Sequence, residues 1–270
     1  MGTPTVITFK NIGYFGRLGN QMFQYASLVG MAKSRGIEYG IPYSNSATEI
    51  LVNANTGPEK LELPRAFCGL DAKNVERDGS QSLYYDRACE YNADLVRDLP
   101  DNIDILGYFQ SEKYFKHCEK EIREQYEFRK HIKDSSETKL NTLALHHKPV
   151  SVHIRRSDYL NYQGIHDFPG KEYYTEAMTK FKDCSFLFFS DDIEWCKQEF
   201  PEHYYSNGVD QIEDLCMMSM CHGHIIANSS FSWWGAWLSK HDDVIAPSKW
   251  FGPSGQDSWQ DIYCDGWRVI

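Results

Sequence analysis

The chain has 270 residues, more than a single hydrophobic core usually holds, so its length predicts two domains. Its formal net charge of −10 argues against nucleic acid as a partner, because nucleic-acid phosphates need a basic surface. The sequence contains no signal peptide and no apolar run long enough to cross a bilayer, which predicts a chain without a transmembrane segment.

The first elements predicted are a strand at residues 6–9, a helix at 22–35 and a strand at 37–41. A glycine-containing loop, residues 16–21, leads into the helix. This loop matches neither the G-x-G-x-x-G dinucleotide fingerprint nor a Walker A loop, so it lacks the main support for either assignment. Its glycines would let the backbone approach a ligand, and its side chains add donors and acceptors. The candidate site residues of this loop are Arg17, Gly19, Asn20 and Gln21.

Beyond residue 41 the pattern is irregular until an amphipathic, charged stretch at residues 112–133. The polar segment 134–138, followed by Pro149, is the predicted linker between domains. We therefore expect a boundary near residue 145, with domains at 1–145 and 146–270.

From residue 150 the chain alternates between strand-like and helix-like runs. The strands are predicted at 150–154, 185–189, 224–228 and 243–246, and the helices at 172–181, 193–200, 211–221 and 231–239. This alternation is the signature of a doubly wound α/β sheet.

Two arginines follow the strand at residues 150–154. Ligands of open α/β sheets bind at the carboxyl ends of strands, and arginine presents a planar fork of donors that fits phosphate oxygens. The pair Arg155 and Arg156 therefore indicates a diphosphate anchor, with His153 and Asp158 beside it. Taken alone, the pair is equally consistent with surface salt bridges.

Asp191 and Asp192 follow the next strand. A carboxylate here can bind the N–H edge of guanine or the ribose hydroxyls. One of the two aspartates can instead cap the helix that follows, and from the sequence alone capping is the favoured explanation.

A polar loop also follows the strand predicted at residues 224–228. It comprises Asn228, Ser229, Ser230, Phe231 and Ser232, and an apolar helix rich in tryptophan begins there. Backbone N–H groups at a helix N-terminus favour an anion, so this loop suits phosphate. An ordinary serine cap with tryptophans in the core is the alternative.

The eight cysteines show no C-x-x-C pair and no regular spacing, which argues against a disulfide scaffold and a zinc ribbon. The best metal candidates are Cys216, Cys221, His222 and His224. Because the apolar run around Cys216 is typical of a buried helix, we favour burial over metal binding.

Three segments together resemble the α1,2-fucosyltransferase family: residues 16–26, 153–159 and 228–236. They occur in the family's order and reach from the first strand almost to the end of the chain. Residues 190–192 and 107–110 resemble two looser family segments, whereas residues 41–104 contain no recognisable motif.

The resemblance implies a GT-B fold, with two Rossmann-like domains facing a cleft. It also implies that fucose is transferred from GDP-fucose to the 2-hydroxyl of a β-galactoside, with inversion. The N-terminal domain would carry the acceptor side and the C-terminal domain the donor. Eukaryotic relatives carry a Golgi anchor, so its absence favours a cytoplasmic bacterial or viral enzyme; a truncated chain would belong to the Golgi lumen.

By motif position, Arg155 would stabilise the departing diphosphate and Asn20, with Arg17 nearby, would face the reaction centre. His153 would lie beside the nucleoside. The candidates for the general base are Asp158, His166 and Asp167. Of these, Asp158 is better explained as a residue that holds an arginine in place.

The D-x-D element that holds a metal in the other common transferase fold is absent from the strand ends. We therefore expect arginine to neutralise the diphosphate, with no metal and no cofactor besides the GDP-fucose co-substrate.

Two alternatives remain. One is a transferase of the same fold that uses another nucleotide sugar. The other is a nucleotide-binding module without turnover, although a decayed site has little reason to keep polar groups that are costly to bury unpaired.

Overall fold

The computed structural model describes residues 5–13, 16–43, 50–53, 57–77, 82–86, 90–207 and 210–270. The chain divides into two compact units. Unit 1 comprises Met1–Arg129 and Gln260–Cys264, and unit 2 comprises Lys130–Trp259 and Asp265–Ile270. The division falls at residue 130, ahead of the boundary predicted near residue 145. Within the described residues, no helix is both long and apolar enough to span a membrane.

Unit 1 is built on a five-stranded parallel sheet. In chain order its elements are β1 (Val6–Thr8), α1 (Leu18–Arg35), β2 (Glu38–Ile41), β3 (Ile50–Asn53), β4 (Gly57–Lys60), α2 (Leu63–Ala66), β5 (Lys73–Asn74), β6 (Ser82–Tyr85), α3 (Ala93–Asp98), β7 (Ile103–Leu106) and α4 (Glu119–Gln125), with 3-10 turns at Glu112–Tyr114, Lys116–Cys118 and Gln260–Ile262. The sheet order is β5-β2-β1-β7-β6, and β3 pairs with β4 in a separate antiparallel hairpin.

Helix α1 begins at Leu18, four residues earlier than the pattern predicts. The backbone N–H groups of Asn20 and Gln21 both donate to the carbonyl of Arg17, at 2.9 and 3.1 Å. Residues 18–21 of the predicted loop therefore lie in the first turn of α1, and Arg17 is its N-cap. The helix ends at Gly36, whose φ of 64° is the left-handed conformation that favours glycine at this position.

Unit 2 is built on a six-stranded parallel sheet. Its elements are α5 (Lys130–Thr142), β8 (Lys148–Ile154), a 3-10 turn (Tyr159–Asn161), α6 (Lys171–Met178), β9 (Cys184–Ser190), α7 (Ile193–Glu199), β10 (Tyr204–Tyr205), α8 (Gln211–Ser219), β11 (Gly223–Ile225), α9 (Ser230–Leu238), β12 (Val244–Ala246) and β13 (Arg268–Val269). The sheet order is β10-β9-β8-β11-β12-β13. From β8 the chain moves outward through β9 and β10, then returns to β11 on the other side of β8, which is the Rossmann order.

Both faces of β9 are covered, which explains its continuous apolar sequence. Phe188 packs with Val152 and Tyr174 on one face, whereas Leu187 and Phe189 pack with methionines of α8 on the other. A strand buried on both faces has no polar side to alternate with.

The predicted linker at residues 134–138 is wrong, because this segment lies inside α5. Its two serines contact the first turn of α8. Ser135 Oγ donates to Glu213 Oε1 at 2.6 Å, Ser136 Oγ donates to the Glu213 carbonyl at 3.3 Å, and Lys139 pairs with the same glutamate. The segment is therefore polar because its serines contact α8, while Asp134, Glu137 and Thr138 form the exposed face of α5.

Burial is confirmed for three of the four residues of the cysteine and histidine cluster, whereas His222 is half-buried. Cys216, Cys221 and His224 are fully buried, and His224 Nδ1 lies 2.8 Å from Ser151 Oγ. Among the described residues, no group of three or more histidine, cysteine, aspartate or glutamate side chains is arranged to hold a metal ion.

Candidate active site

The carboxyl ends of β8 and β11 mark the point where the strand order of unit 2 reverses. In sheets of this order, the crevice outside that point is where nucleotides bind. The loop after β8 carries Arg155, and the loop after β11 carries Asn228. Tyr159 Oη donates to the Asn228 carbonyl at 2.8 Å, so the two predicted loops are joined.

Arg155 is held by two carboxylates. Its Nη2 donates to Asp158, and its Nε lies 3.4 Å from Asp191 Oδ2. Burial opposes the charge of Arg155, but the two carboxylates outweigh it and raise the pKa of the guanidinium. Because its side chain is still 20% exposed, Arg155 is a fixed cation that a ligand can reach.

Asp191 organises the arginine loop. Beyond its contact with Arg155, it accepts hydrogen bonds from the Arg156 backbone N–H at 2.9 Å and from Ser157 Oγ at 2.5 Å. Burial alone would raise the pKa of Asp191, but Arg155 and these hydrogen bonds lower it. Both carboxylate oxygens are therefore engaged within the protein, which disfavours the guanine-binding role considered for this residue.

Asp192 caps α7, as the favoured explanation predicted. Its Oδ1 accepts from the Trp195 N–H at 3.3 Å, and its Oδ2 pairs with Arg156. The Arg156 guanidinium also lies 5.0 Å from the centroid of the Trp195 ring. Arg156, predicted to bind the donor, pairs with the N-cap of α7, whereas Arg155 pairs with Asp158 and Asp191; the two side chains remain 25% and 20% exposed.

His153 is buried at the end of β8, with its ring centroid 5.5 Å from that of Phe231. Burial, and then the nearby Arg155 cation, lower the pKa of His153 to about 3. The ring is therefore neutral near pH 7. It can exchange hydrogen bonds with a ligand but adds no positive charge.

Helix α9 begins at the crevice with Ser229 as its N-cap. The first intrahelical bond runs from the Trp233 N–H to the Ser229 carbonyl at 3.0 Å, so the preceding N–H groups have no acceptor within the helix. The Ser229 side chain makes no capping hydrogen bond, in contrast to the ordinary serine cap considered above. Ser230 and Phe231 are partly exposed, and Ser232 Oγ donates to the Ser229 carbonyl at 3.3 Å.

The side chain of Asn228 holds the loop after β11 in place. Its Nδ2 donates to the carbonyls of Asp167 and Trp250 at 2.9 and 3.0 Å, and the residue is buried. These bonds fix the loop after β11 to two neighbouring segments. The tryptophans that follow form a core cluster, since Trp233 and Trp234 are fully buried.

The three candidates for a general base differ in their contacts. Asp158 pairs with Arg155, in agreement with the structural role favoured for it. Asp167 Oδ1 accepts from the Gly164 N–H at 2.7 Å. His166 stacks on Tyr159 with ring centroids 5.2 Å apart, and burial lowers its pKa, which keeps the ring neutral and able to take a proton.

The candidate residues of unit 1 lie at the start of α1. Asn20 is partly exposed and its Oδ1 accepts from Gln110 Nε2 at 2.7 Å, whereas Arg17 is exposed. Gln21 is buried and accepts from the Glu62 N–H at 2.8 Å, so it holds the fold together. Gly19 is buried within the helix.

Asp214 is a residue that the sequence analysis missed. It lies in the first turn of α8 and accepts a hydrogen bond from Ser206, whose own N–H donates to the Phe188 carbonyl of β9 at 2.8 Å. Burial raises the pKa of Asp214 to about 6. This places a perturbed, partly exposed carboxylate at the carboxyl edge of the sheet, beyond a two-residue strand too short to be seen in the pattern.

Comparison with known proteins agrees with this architecture. The chain is similar to the Escherichia coli alpha-1,2-colitosyltransferase, with 32% identity over 265 residues, which cover 87% of this chain and 90% of the relative. It is 26% identical over 252 residues to the human galactoside alpha-(1,2)-fucosyltransferase 1, covering 85% of this chain but 65% of that protein.

Solved structures support the fold. The NodZ alpha-1,6-fucosyltransferase soaked with GDP-fucose matches with a TM-score of 0.55 at 14% identity, covering 88% of this chain and 93% of that one. POFUT1 in complex with GDP matches with a TM-score of 0.54 at 13% identity, covering 89% and 96%. The predicted GT-B class, with two Rossmann-like α/β units, is thereby confirmed.

The family described as Glycosyl transferase family 11 matches residues 4–270, almost the whole chain. Together with the relative that is 32% identical over most of both lengths, this match settles the assignment. The chain is a glycosyltransferase and belongs to glycosyl transferase family 11.

Proposed function

We propose that the chain transfers L-fucose from GDP-β-L-fucose to the 2-hydroxyl of a terminal β-galactoside, with inversion at C1 of fucose. The observation that carries this proposal is the position of Arg155, which Asp158 and Asp191 hold at the strand-order reversal of a Rossmann sheet. The family assignment and the fucosyl and colitosyl transferases among the relatives support it.

In this reaction the bond between C1 of fucose and the β-phosphate oxygen breaks, and negative charge grows on the departing GDP. Donors already aimed at that oxygen stabilise the transition state more than the ground state. Arg155 supplies a forked donor, and the first turn of α9 supplies unpaired N–H groups together with the positive end of its dipole. These groups would neutralise the diphosphate without a metal ion.

The nucleoside would extend along the carboxyl edge from β8 towards β10. Neutral His153 lies at the start of this path and Asp214 at its far end. A carboxylate can accept two hydrogen bonds from the N–H and NH₂ edge of guanine. We therefore assign guanine recognition to Asp214 in place of Asp191 and Asp192.

The acceptor 2-hydroxyl loses a proton as its oxygen bonds to C1. His166 is the proposed base, because its ring is neutral and Asp158 and Asp167 are each engaged in the protein. Asn20 would contribute from unit 1, which we propose to be the acceptor side. Within the region 41–104 proposed to shape acceptor choice, residues 44–49, 54–56, 78–81 and 87–89 lie outside the described residues.

One of the comparisons supports GDP-colitose as an alternative donor. The E. coli relative that shares 32% identity is a colitosyltransferase, and colitose differs from fucose only by the absence of the 3-hydroxyl. Competition between GDP-fucose and GDP-colitose for the purified enzyme separates the two donors. A site that hydrogen-bonds the 3-hydroxyl would discriminate strongly for fucose.

The deciding experiment is a glycan-acceptor array with GDP-fucose, GDP-colitose, GDP-mannose and UDP-sugars, followed by linkage analysis of the products. We expect fucose on the 2-position of terminal β-galactose and no transfer to the matched 2-deoxygalactose acceptor. Fucose on the 3- or 4-position, or equal transfer to the 2-deoxy compound, would contradict the acceptor assignment. GDP binding without transfer to any acceptor would favour a binding module.

A further inference from the structure

The segment that follows the arginine loop of unit 2 exposes a cluster of apolar side chains. Leu160, Tyr162 and Ile165 are 44%, 45% and 43% exposed. Of the seven large apolar side chains that are well exposed in the described part of the chain, these three lie within six consecutive positions. Exposed apolar residues that are scattered singly need no explanation, whereas a cluster of them marks a binding surface.

We propose that this apolar patch, formed by Leu160, Tyr162 and Ile165, is an acceptor subsite, on which one pyranose ring of the acceptor rests with the Tyr162 ring as its stacking platform. The inference rests on the proposed function, which supplies a galactoside as acceptor and places the proposed base, His166, in the same segment.

Both ends of the segment are fixed to one residue of the loop after β11. Tyr159 Oη donates to the Asn228 carbonyl at 2.8 Å, and Asn228 Nδ2 donates to the Asp167 carbonyl at 2.9 Å. Asn228 is buried and directly precedes the N-cap of α9. Residues 159–167 are therefore held at the same crevice as the groups proposed to bind the diphosphate.

The middle of the segment is fixed to the loop after β12. The Gly252 N–H donates to the Ile165 carbonyl at 2.9 Å, and the Ser254 N–H donates to the Gly164 carbonyl at 2.6 Å. A Cβ added to Gly252 would lie 2.5 Å from the Gly164 carbonyl oxygen, so this approach requires glycine. Because the segment is held along its length, little conformational entropy would be lost when a ligand binds to it.

The patch lies on the opposite side of β8 from the path proposed for the nucleoside. That path runs from β8 towards β10, whereas the segment bonds to the loops after β11 and β12. His166 lies between the rings of Tyr159 and Phe251, with centroids 5.2 and 5.5 Å away, and it directly follows Ile165 of the patch. A sugar on the patch would therefore lie beside the proposed base without competing with the nucleoside.

The chemistry of the segment suits a neutral, hydroxylated ring. Asn161 and Gln163, both exposed, alternate with the apolar residues, and their amides can donate to and accept from sugar hydroxyls. The Tyr162 ring offers a flat apolar face with a polar tip. Residues 157–170 include no lysine or arginine, which an anionic lipid surface would require. Three apolar side chains are also far fewer than a stable interface between subunits needs.

The test compares acceptor kinetics and sugar binding in Tyr162→Ala. We expect KM for a β-galactoside to rise by about tenfold with a much smaller change in kcat, because a platform binds the ground state and the transition state alike. The Kd for GDP, measured by calorimetric titration, should not change. Tyr162→Phe keeps the ring and should recover most of the acceptor affinity. Saturation-transfer NMR with methyl β-galactoside should show a contact with the GDP-bound wild type that Tyr162→Ala weakens.

The rest of the patch is tested with a matched pair of substitutions. Ile165→Ala removes part of the apolar surface and should raise the acceptor KM by about threefold. Val269→Ala, at a β-branched residue of β13 that is 42% exposed, is the control and should leave this KM unchanged.

An acceptor KM in Tyr162→Ala equal to that of the wild type would overturn the subsite. So would a dimer in sedimentation experiments that Tyr162→Ala dissociates without a change in KM, because the patch would then be an interface between copies of the chain. If Tyr162→Ala weakens the NMR contact but the wild type transfers no fucose to galactose, the subsite stands and the proposed donor or linkage is wrong.

Discussion

Tyr159 Oη donates a hydrogen bond to the backbone carbonyl of Asn228 at 2.8 Å, across the reversal point between β8 and β11. Tyr159 follows the arginine loop, and Asn228 precedes the helix whose N-terminus faces the same crevice. One hydroxyl therefore fixes the separation of the two groups proposed to share the diphosphate.

Replacing Tyr159 by phenylalanine should lower both stability and activity. The change removes a partly buried donor and leaves the Asn228 carbonyl short of a partner, which costs about 1 kcal/mol or more. We expect a lower melting temperature and a reduced kcat, measured by calorimetry and by fucose transfer. Tyr205→Phe is a suitable comparison, because Tyr205 lies on β10, two strands away from β8, and its hydroxyl bonds the Phe200 carbonyl; it should lower stability while kcat stays near that of the wild type.

Arg155→Ala and Arg155→Lys should both lose most activity. Lysine keeps the charge but not the fork that contacts Asp158 and Asp191 and would contact phosphate. Loss of such a donor costs about a hundredfold or more in turnover. Arg97→Lys, at an exposed arginine paired with Asp98, serves as control. A lysine variant within about threefold of wild type would refute the forked-donor argument.

Asp214→Asn should stabilise the protein above about pH 6 while weakening GDP binding. The folded-state pKa of Asp214, about 6, lies above its ordinary value of 3.8, so the folded protein holds this proton more tightly. Stability is therefore lost as pH rises from 3.8 through 6, and the asparagine variant escapes that loss. Denaturation at pH 3 and pH 8 should show a difference only at pH 8.

If Asp214 binds guanine, the same Asp214→Asn variant that gains stability should bind GDP more weakly. Removing an ionised acceptor should raise the Kd for GDP by about tenfold or more, measured by calorimetric titration. A variant that gains stability at pH 8 and binds GDP as well as the wild type would remove Asp214 from the nucleotide site.

Transfer should not depend on a divalent metal. In the proposed site, Arg155 and the N-terminus of α9 carry the charge that a metal would otherwise neutralise. Rates measured after exhaustive chelation should equal those of untreated enzyme. Loss of activity that manganese or magnesium restores would contradict this prediction.

The fold of unit 2 was largely predictable, because its parallel strands are buried and bounded by clear turn signals. The strands at 150–154 and 185–189 correspond to β8 and β9, and each extends slightly beyond its prediction. β10 and β13 were not predicted, because each strand has only two residues, too few to show an alternating apolar pattern. The helix start at Leu18 was also missed, because Gly19 and the polar residues after it suggest a loop.

Within the site, the sequence identified the loops better than the side chains. Arg155 and Arg156 are adjacent and chemically identical, and only the folded geometry sends one to Asp158 and Asp191 and the other to Asp192, the N-cap of α7. The contact between Gln110 and Asn20 spans 90 positions, and no local pattern indicates it. Asp214 resembles an ordinary first-turn acid until its surroundings are known.

The short segment Gln260–Cys264 belongs to unit 1, although the residues on both sides of it belong to unit 2. Asp261 in this segment accepts from the Tyr91 N–H at 2.8 Å and pairs with Lys113. During synthesis these partners in the N-terminal half must wait until residue 261 leaves the ribosome, long after the rest of their unit has emerged. Unit 1 therefore completes its fold only after nearly all of unit 2 has been made. A protein cut at residue 130 would yield two fragments, neither of which is a whole domain.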